Sequence, residues 1–215
     1  GFISENFDSG FAPDLWTVYD DDLNVTWDTV QVLQSDGESG LAARLRFFSY
    51  SPNAGQEDLL IGPSLIAGSG TFTLSFEYFY RRRTNNPGNF DTLSVDIGYN
   101  CGEGRLNLWK KGGESLYTND VHAPNAYPES TDDWSSAAIT FNLDELDGAD
   151  FNQGFFPVFT GKNHSGNNLL IDNIKLEFTA SVGDGAIHTN ITLFPNPAEA
   201  EVHIRWSGPE NTASV

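Results

Sequence analysis

Three acidic residues of this sequence stand where strand alternation predicts apolar side chains. Asp172 shares the parity of Leu170 and Ile174, Glu5 lies in a similar run near the N-terminus, and Asp58 opens another apolar run. A carboxylate buried without a partner is costly, so each needs a cation, a metal ion or several hydrogen-bond donors. Because calcium prefers oxygen ligands, the sequence predicts a Ca2+ site built from Glu5, Asp58 and Asp172.

Two more acidic residues are secondary candidates for the same ion. Asp8 follows the first predicted strand, and Asp21 lies in an acidic run that otherwise indicates a solvated loop. Terminal strands of antiparallel sandwiches are often neighbours, and this would bring Glu5 close to Asp172. Asp58 also fits an ordinary turn residue, and this alternative stays open.

Composition excludes several classes of partner. The chain of 215 residues has 30 acidic and 11 basic residues and a formal charge of -19, which argues against binding to nucleic acid or to an anionic membrane. No apolar run approaches the roughly 18 residues of a membrane helix. Methionine is absent and no signal peptide opens the chain, so we expect a fragment of a longer, processed protein. Cys101 is the single cysteine, and intrachain disulfides therefore play no part.

Period-two patterns bounded by Gly, Pro, Asn and Asp recur along the chain, whereas helical periodicity is scarce. The sequence therefore predicts an all-β protein. The clearest strand covers residues 72–80, with Phe72, Leu74, Phe76, Tyr78 and Tyr80 on its inward face, and we expect it in the middle of a sheet.

Loops offer two candidate binding features. Arg81, Arg82 and Arg83 form either an exposed turn or a site for an acidic sugar or a peptide carboxylate, because arginine pairs well with such groups. The long segment 114–133 is rich in Asn, Pro, Ser and Asp, and loops of this length are often binding surfaces.

The landmarks of residues 1–178, taken in order, resemble the cleaved-adhesin and choice-of-anchor J domains of bacterial surface proteins, which are related in shape to the MAM-type sandwich. The resemblance implies a jelly-roll β-sandwich of two antiparallel sheets and a non-catalytic module that accompanies proteases and adhesins and contacts a host or environmental protein or glycan. The matching segments are Glu5-Asn6-Phe7-Asp8-Ser9-Gly10-Phe11 with Trp16-Thr17, Asp58-Leu59-Leu60-Ile61-Gly62-Pro63, Leu74-Ser75-Phe76-Glu77-Tyr78, Asp91-Thr92-Leu93-Ser94-Val95, Asn100-Cys101-Gly102, Asp133-Trp134 and Gly166-Asn167-Asn168-Leu169-Leu170-Ile171-Asp172-Asn173-Ile174.

The amino-acid composition of the chain changes after Phe178. Residues 179–190 form a linker of small residues, and residues 191–215 begin a separate, truncated segment. The motif Leu193-Phe194-Pro195-Asn196-Pro197 resembles the start of the type IX secretion C-terminal sorting domain of Bacteroidetes. That resemblance implies recognition by the outer-membrane translocon and a protein that is secreted or attached to the outer membrane at the cell surface.

The sequence therefore predicts a calcium-stabilised adhesion module. A carbohydrate-binding module, or an accessory domain of a secreted protease or glycan-active enzyme, is the alternative, with Tyr50, Tyr117 and Tyr127 as candidates for stacking on sugars. A jelly-roll hydrolase is a further alternative, although no catalytic motif is present. Its candidate groups are Asp20, Asp21, Asp22, Glu103, Glu114 and His122.

Overall fold

A computed structural model describes residues 3–11, 15–50, 55–66, 70–84, 91–147, 149–179, 190–194 and 203–207. Its strands are β1 (Ile3–Glu5), β2 (Thr17–Asp20), β3 (Trp27–Leu33), β4 (Ser39–Arg46), β5 (Glu57–Ile61), β6 (Thr71–Tyr80), β7 (Thr92–Tyr99), β8 (Gly104–Gly112), β9 (Ser135–Asn142), β10 (Phe155–Lys162), β11 (Asn168–Thr179), β12 (Asn190–Phe194) and β13 (His203–Ser207). Short 3-10 helices span Phe47–Ser49, Asn100–Gly102, Gly113–Leu116, Thr131–Asp133 and Leu143–Glu145. Within these described ranges there is no α-helix, so the all-β prediction is confirmed.

Two antiparallel sheets form the body of the domain. Sheet A has the order β3-β4-β11-β6-β9, with β1 also paired to β11, and sheet B has the order β2-β5-β10-β7-β8. The two sheets confirm the predicted sandwich. The first strand lies beside the last strand of the domain, as expected, because Ile3 pairs with Leu176 and Glu5 with Ile174.

The core between the sheets is rich in aromatic side chains. The predicted inward face of β6 is confirmed, since its alternate residues from Phe72 to Tyr80 are buried in this core. Phe76 packs edge-to-face against Trp109 and Phe159 of sheet B, with centroid distances of 5.3 and 5.2 Å. β6 lies between β11 and β9, so its predicted position in the middle of a sheet is also confirmed.

A second apolar cluster covers part of the outer face of sheet A. It contains Val32, Ala42, Phe79 and Leu170 from β3, β4, β6 and β11 of the sheet, and Ala126 and Trp134 from the segment that precedes β9. The indole nitrogen of Trp134 donates to the carbonyl oxygen of Leu33 at 2.9 Å. The long segment before β9 therefore packs on the sheet and shields that part of its face from solvent.

A β-bulge in β11 changes which side chains face the core. The register against β6 shifts between Asp172 and Lys175, and Asn173 has a positive φ of 50°. Ile171 and Ile174 consequently both face the inter-sheet core, although their parities differ. The sequence placed Asp172 on the face of Ile174, and this is wrong because the bulge reverses the alternation.

The contacts divide the chain into two compact units, residues 1–179 and 180–215. In the second unit β12 pairs with β13 in antiparallel register, from Asn190 with Ser207 to Phe194 with His203. Pro195, Asn196 and Pro197 of the predicted sorting motif lie outside the described residues. In the described part of the chain, no helix has the length and apolar character needed to cross a membrane.

Candidate functional site

Three carboxylates converge where β2 ends beside the start of β5. Asp20 is the register partner of Asp58 across these strands, and Asp22 follows two residues later in a turn. The turn is held by Asp20 Oδ1, which accepts from the backbone amides of Asp22 at 3.2 Å and Leu23 at 2.8 Å. One oxygen of each acid lies within 4.8 Å of the others, the only such group of three among the described residues. We call Asp20, Asp22 and Asp58 the acidic triad.

Asp58 is the member of the triad whose negative charge is least compensated by its surroundings. Its side chain is buried, at 1% exposure, and neither carboxylate oxygen accepts a hydrogen bond of regular geometry within the described part of the chain. Burial raises the pKa of Asp58 to about 7, and the nearby charges of Asp20 and Asp22 act in the same direction, whereas weaker polar contacts with the hydroxyls of Thr26 and Tyr50 lower it. An orphaned buried carboxylate among two others fits a divalent cation with hard oxygen ligands.

The site explains why Tyr50 is buried. Its hydroxyl donates to Asp22 Oδ2 at 2.9 Å, and its side chain is only 1% exposed. Burial and this hydrogen bond raise the pKa of Tyr50 well above its ordinary value, so the phenol stays neutral and acts as a donor. The predicted role of Tyr50 in stacking on sugars is not supported, because its ring is inaccessible.

Four of the five predicted metal residues lie outside the triad, and Glu5 and Asp21 among them have other hydrogen-bond partners. The carboxylate of Glu5 accepts from the backbone amide of Phe7 at 2.7 Å and from the indole nitrogen of Trp16 at 2.8 Å. Asp21 accepts from the hydroxyl of Tyr19 at 3.3 Å, because its side chain alternates away from its neighbours Asp20 and Asp22. Glu5 is therefore compensated by neutral donors in the structure.

Asp172 lies in a different environment on the outer side of sheet A. It is 1% exposed, and it accepts from Gln34 Nε2 at 2.9 Å and from the amide of Asn173 at 2.7 Å. Burial raises the pKa of Asp172 to about 7, and the charges of Glu77 and Asp8 act in the same direction. No cationic side chain in the described residues forms an ion pair with it.

The structure separates Glu5 from Asp172 despite the pairing of their strands. Glu5 is the register partner of Ile174, which faces the inter-sheet core, whereas Asp172 is the partner of Glu77 on the opposite face. Of the five predicted metal residues, only Asp58 belongs to the acidic triad. From the acidic run the sequence singled out Asp21 and not Asp20 or Asp22, although the equal parity of Asp20 and Asp22 next to a strand end was a visible signal.

The arginine run and the other two tyrosines are involved in packing. Arg81 is 5% exposed and pairs with Asp133 at 2.6 Å. The amides of Glu129 and Ser130 and the charge of Arg81 lower the pKa of Asp133 despite its burial. The ring of Tyr117 stacks on Tyr80, and Arg44 lies over the ring of Tyr127 and donates to its hydroxyl, so each tyrosine has a packing partner on at least one ring face.

A groove of about 430 Å³ runs over the outer face of sheet B. Its apolar floor comes from β5 and β10, Tyr19 of β2 stands at one side with 51% exposure, and Arg105 of β8 stands at the other. We call it the sheet-B groove. Its lining includes Tyr19, Leu59, Ile61, Arg105, Phe156 and Val158.

Comparison with known proteins identifies the fold. No protein-family model matches the sequence, and no curated protein matches it. The chain is similar to the K3 cleaved adhesin domain of Lys-gingipain from Porphyromonas gingivalis w83, with 12% identity over 82% of this chain and 98% of that chain and a TM-score of 0.54. The K1 cleaved adhesin domain of the same protein, from strain W83, gives 15% identity over 83% and 98% of the chains and a TM-score of 0.52.

The enzymatically active domain of bacteriophage CBA120 tailspike protein 4 also shares the fold. Its identity is 13% over 81% of this chain and 21% of that chain, with a TM-score of 0.50. At such identities the likeness concerns architecture alone. The chain therefore has the β-sandwich fold found in cleaved adhesin domains and in part of a phage tailspike.

Proposed function

We propose that this chain is a non-catalytic, calcium-stabilised binding module of a secreted or cell-surface protein. The observation that carries the proposal is Asp58, a buried carboxylate that accepts no hydrogen bond of regular geometry in the described chain and lies next to Asp20 and Asp22. Three carboxylates meet part of the six to eight oxygen ligands that calcium takes, and backbone carbonyls and water complete such a shell. The K1 and K3 domains with the same fold are named adhesin domains, which supports a binding role.

A structural role for the ion agrees with its place in the sandwich. β2 has only four residues and is an edge strand of sheet B, held by its pairing with β5. Calcium bridging Asp20 and Asp22 to Asp58 would link β2 and its following turn to the core strand β5. The catalytic alternative needs carboxylates that face each other across an open groove, whereas Asp58 is buried.

Thermal unfolding with and without calcium tests this proposal. Ligand at 100 times its dissociation constant stabilises a protein by about 2.7 kcal/mol. For a domain of this size that corresponds to a Tm increase of roughly 5–10 °C on replacing EGTA with calcium at constant ionic strength. Asp58→Asn should abolish the increase, and Asp144→Asn, an exposed acid outside the triad, should keep it. A calcium response of equal size in Asp58→Asn would contradict the assignment.

A carbohydrate-binding module is the second candidate function. The sheet-B groove favours it, because it combines an exposed aromatic ring with an open apolar floor on a rigid sheet. The predicted alternative of an accessory domain of a secreted enzyme is compatible with the same groove. Binding assays with defined saccharides separate these roles from protein adhesion.

We further propose that the chain is exported by type IX secretion. The motif Leu193-Phe194-Pro195-Asn196-Pro197 supports this through its resemblance to the sorting domain read by the outer-membrane translocon. The protein, tagged for detection and expressed in a Bacteroidetes host, should reach the medium or the cell surface. Release that is unchanged in a strain without the translocon would contradict export by this route.

A further inference from the structure

The sheet-B groove has an apolar floor on a face where alternation normally places polar residues. Leu59 and Ile61 of β5 and Phe156 and Val158 of β10 all point away from the core residues Leu60 and Phe159 of the same strands. Leu59, Ile61 and Phe156 are partly exposed, whereas Val158 beneath them is covered, at 1% exposure. Partly exposed apolar side chains that cluster on neighbouring strands mark interaction sites more often than isolated ones do. The groove is therefore a candidate contact surface.

Gly98 allows the ring of Phe156 to lie across the sheet. The two residues are register partners on β7 and β10, and a Cβ added at Gly98 would overlap the ring, with its Cδ2 only 2.8 Å away. Gly98 is also the register partner of Arg105 on β8. One cross-strand row thus places an aromatic ring, an open backbone and an arginine in succession.

Arg105 keeps most of its hydrogen-bonding capacity. Its Nη1 lies 3.4 Å from Thr160 Oγ1, and in the described part of the chain no carboxylate pairs with it. Lys110 stands on the same strand and is likewise unpaired there. The nearest acid on the adjoining strand, Asp96, is 9% exposed and accepts from Asn107 Nδ2 at 2.7 Å.

Arg105 is the one cationic side chain among the residues that line the groove, in a chain with a formal charge of -19. The net charge of the chain repels anions, so an unpaired arginine beside an aromatic, apolar groove selects a ligand that combines negative charge with a flat apolar surface. A guanidinium matches a carboxylate through two parallel hydrogen bonds, and a tyrosine or phenylalanine ring packs on the apolar face of a sugar ring.

We propose that the sheet-B groove binds oligosaccharides that carry carboxylate groups, with Tyr19 and Phe156 against the sugar rings and Arg105 on the carboxylate. The inference rests on the proposed function as a binding module and names its ligand class. The groove volume of about 430 Å³ falls in the range of small-molecule sites.

Calorimetric titration of the full chain with matched saccharides tests the proposal. Trigalacturonate is compared with its methyl ester, and sialyllactose with the methyl ester of its sialic acid, so that each pair differs only in the charge of the carboxylate. We expect the acid of at least one pair to bind at least about tenfold more tightly than its neutral partner, because a hydrogen bond between two charged groups is stronger than one between neutral groups. Arg105→Gln should weaken that binding about tenfold or more, whereas Arg46→Gln, which removes an exposed arginine on sheet A, should change it less than twofold.

A second variant probes the aromatic part of the groove. Gly98→Ala should displace the Phe156 ring and weaken the acid and its neutral partner by the same factor, with Tm recorded to confirm folding. The proposal is overturned if no acidic saccharide binds, if acid and neutral forms bind equally, if Arg105→Gln and Arg46→Gln act alike, or if a hexaglutamate peptide binds as tightly as the saccharide. The calcium melting experiment reports only on the acidic triad. If calcium raises the Tm as expected and no saccharide binds, the saccharide inference is wrong while the calcium proposal stands.

Discussion

Asp172 should make the stability of the domain depend on pH. Its pKa is raised to about 7 by burial and by the charges of Glu77 and Asp8. Between about pH 4 and pH 7 the unfolded chain has lost this proton while the folded protein retains it, so the folded state binds more protons and its stability falls as pH rises. Below this window both states are protonated, and above it the loss is complete.

The size of the effect follows from the shift of the pKa. Moving from the ordinary value of 3.8 to about 7 implies that Asp172 destabilises the fold by about 3 kcal/mol more at pH 8 than at pH 4.5. Asp172→Asn removes this titration. The difference in unfolding free energy, variant minus wild type, should therefore increase by about 3 kcal/mol between these pH values. Asp58 titrates in both proteins, so its contribution cancels in the difference.

Urea unfolding in EGTA at the two pH values measures this difference, with Asp120→Asn as an exposed control that carries the same charge change. A difference that stays constant with pH would refute the argument, since it would show that the charge of Asp172 is compensated in the folded protein. Repeating the series with calcium tests the metal role predicted from the sequence. If Asp172 binds an ion, calcium should remove the pH dependence of stability in the wild type, and Asp172→Asn should no longer be stabilised by calcium.

Two further substitutions test the packing. Arg81→Met leaves Asp133 buried without its cation and should lower the free energy of unfolding, measured in urea, by about 3–5 kcal/mol. The control Arg46→Met should lower it by less than about 1 kcal/mol. Equal losses in the two variants would contradict a stabilising role for the buried pair. Gly161→Ala would place a Cβ against the side chain of Leu45 and should cost about 1–3 kcal/mol by overpacking, so an unchanged Tm would show that the core adapts.

Local alternation was sufficient to predict the central strand. The aromatic residues of β6 share one parity, and burying that face is worth more than any competing arrangement, so the prediction of its core face and central position holds. The same rule failed in β11, where the bulge at Asn173 inserts a residue and reverses the facing of Leu170 and Asp172. A bulge depends on the partner strand and leaves no clear mark in the local pattern.

Sequence alone determined that the chain is all-β with an excess of acidic groups, because period-two hydrophobicity and composition are local properties. It also singled out Asp58 as a candidate metal ligand, with an ordinary turn residue as the alternative. Only the tertiary structure decided which side chains lie next to Asp58. Asp20 and Asp22 reach it through the pairing of β2 with β5, two strands separated by about 40 residues of chain. Contacts between distant strands are set by the global pairing of the sheets, which no short stretch of sequence encodes.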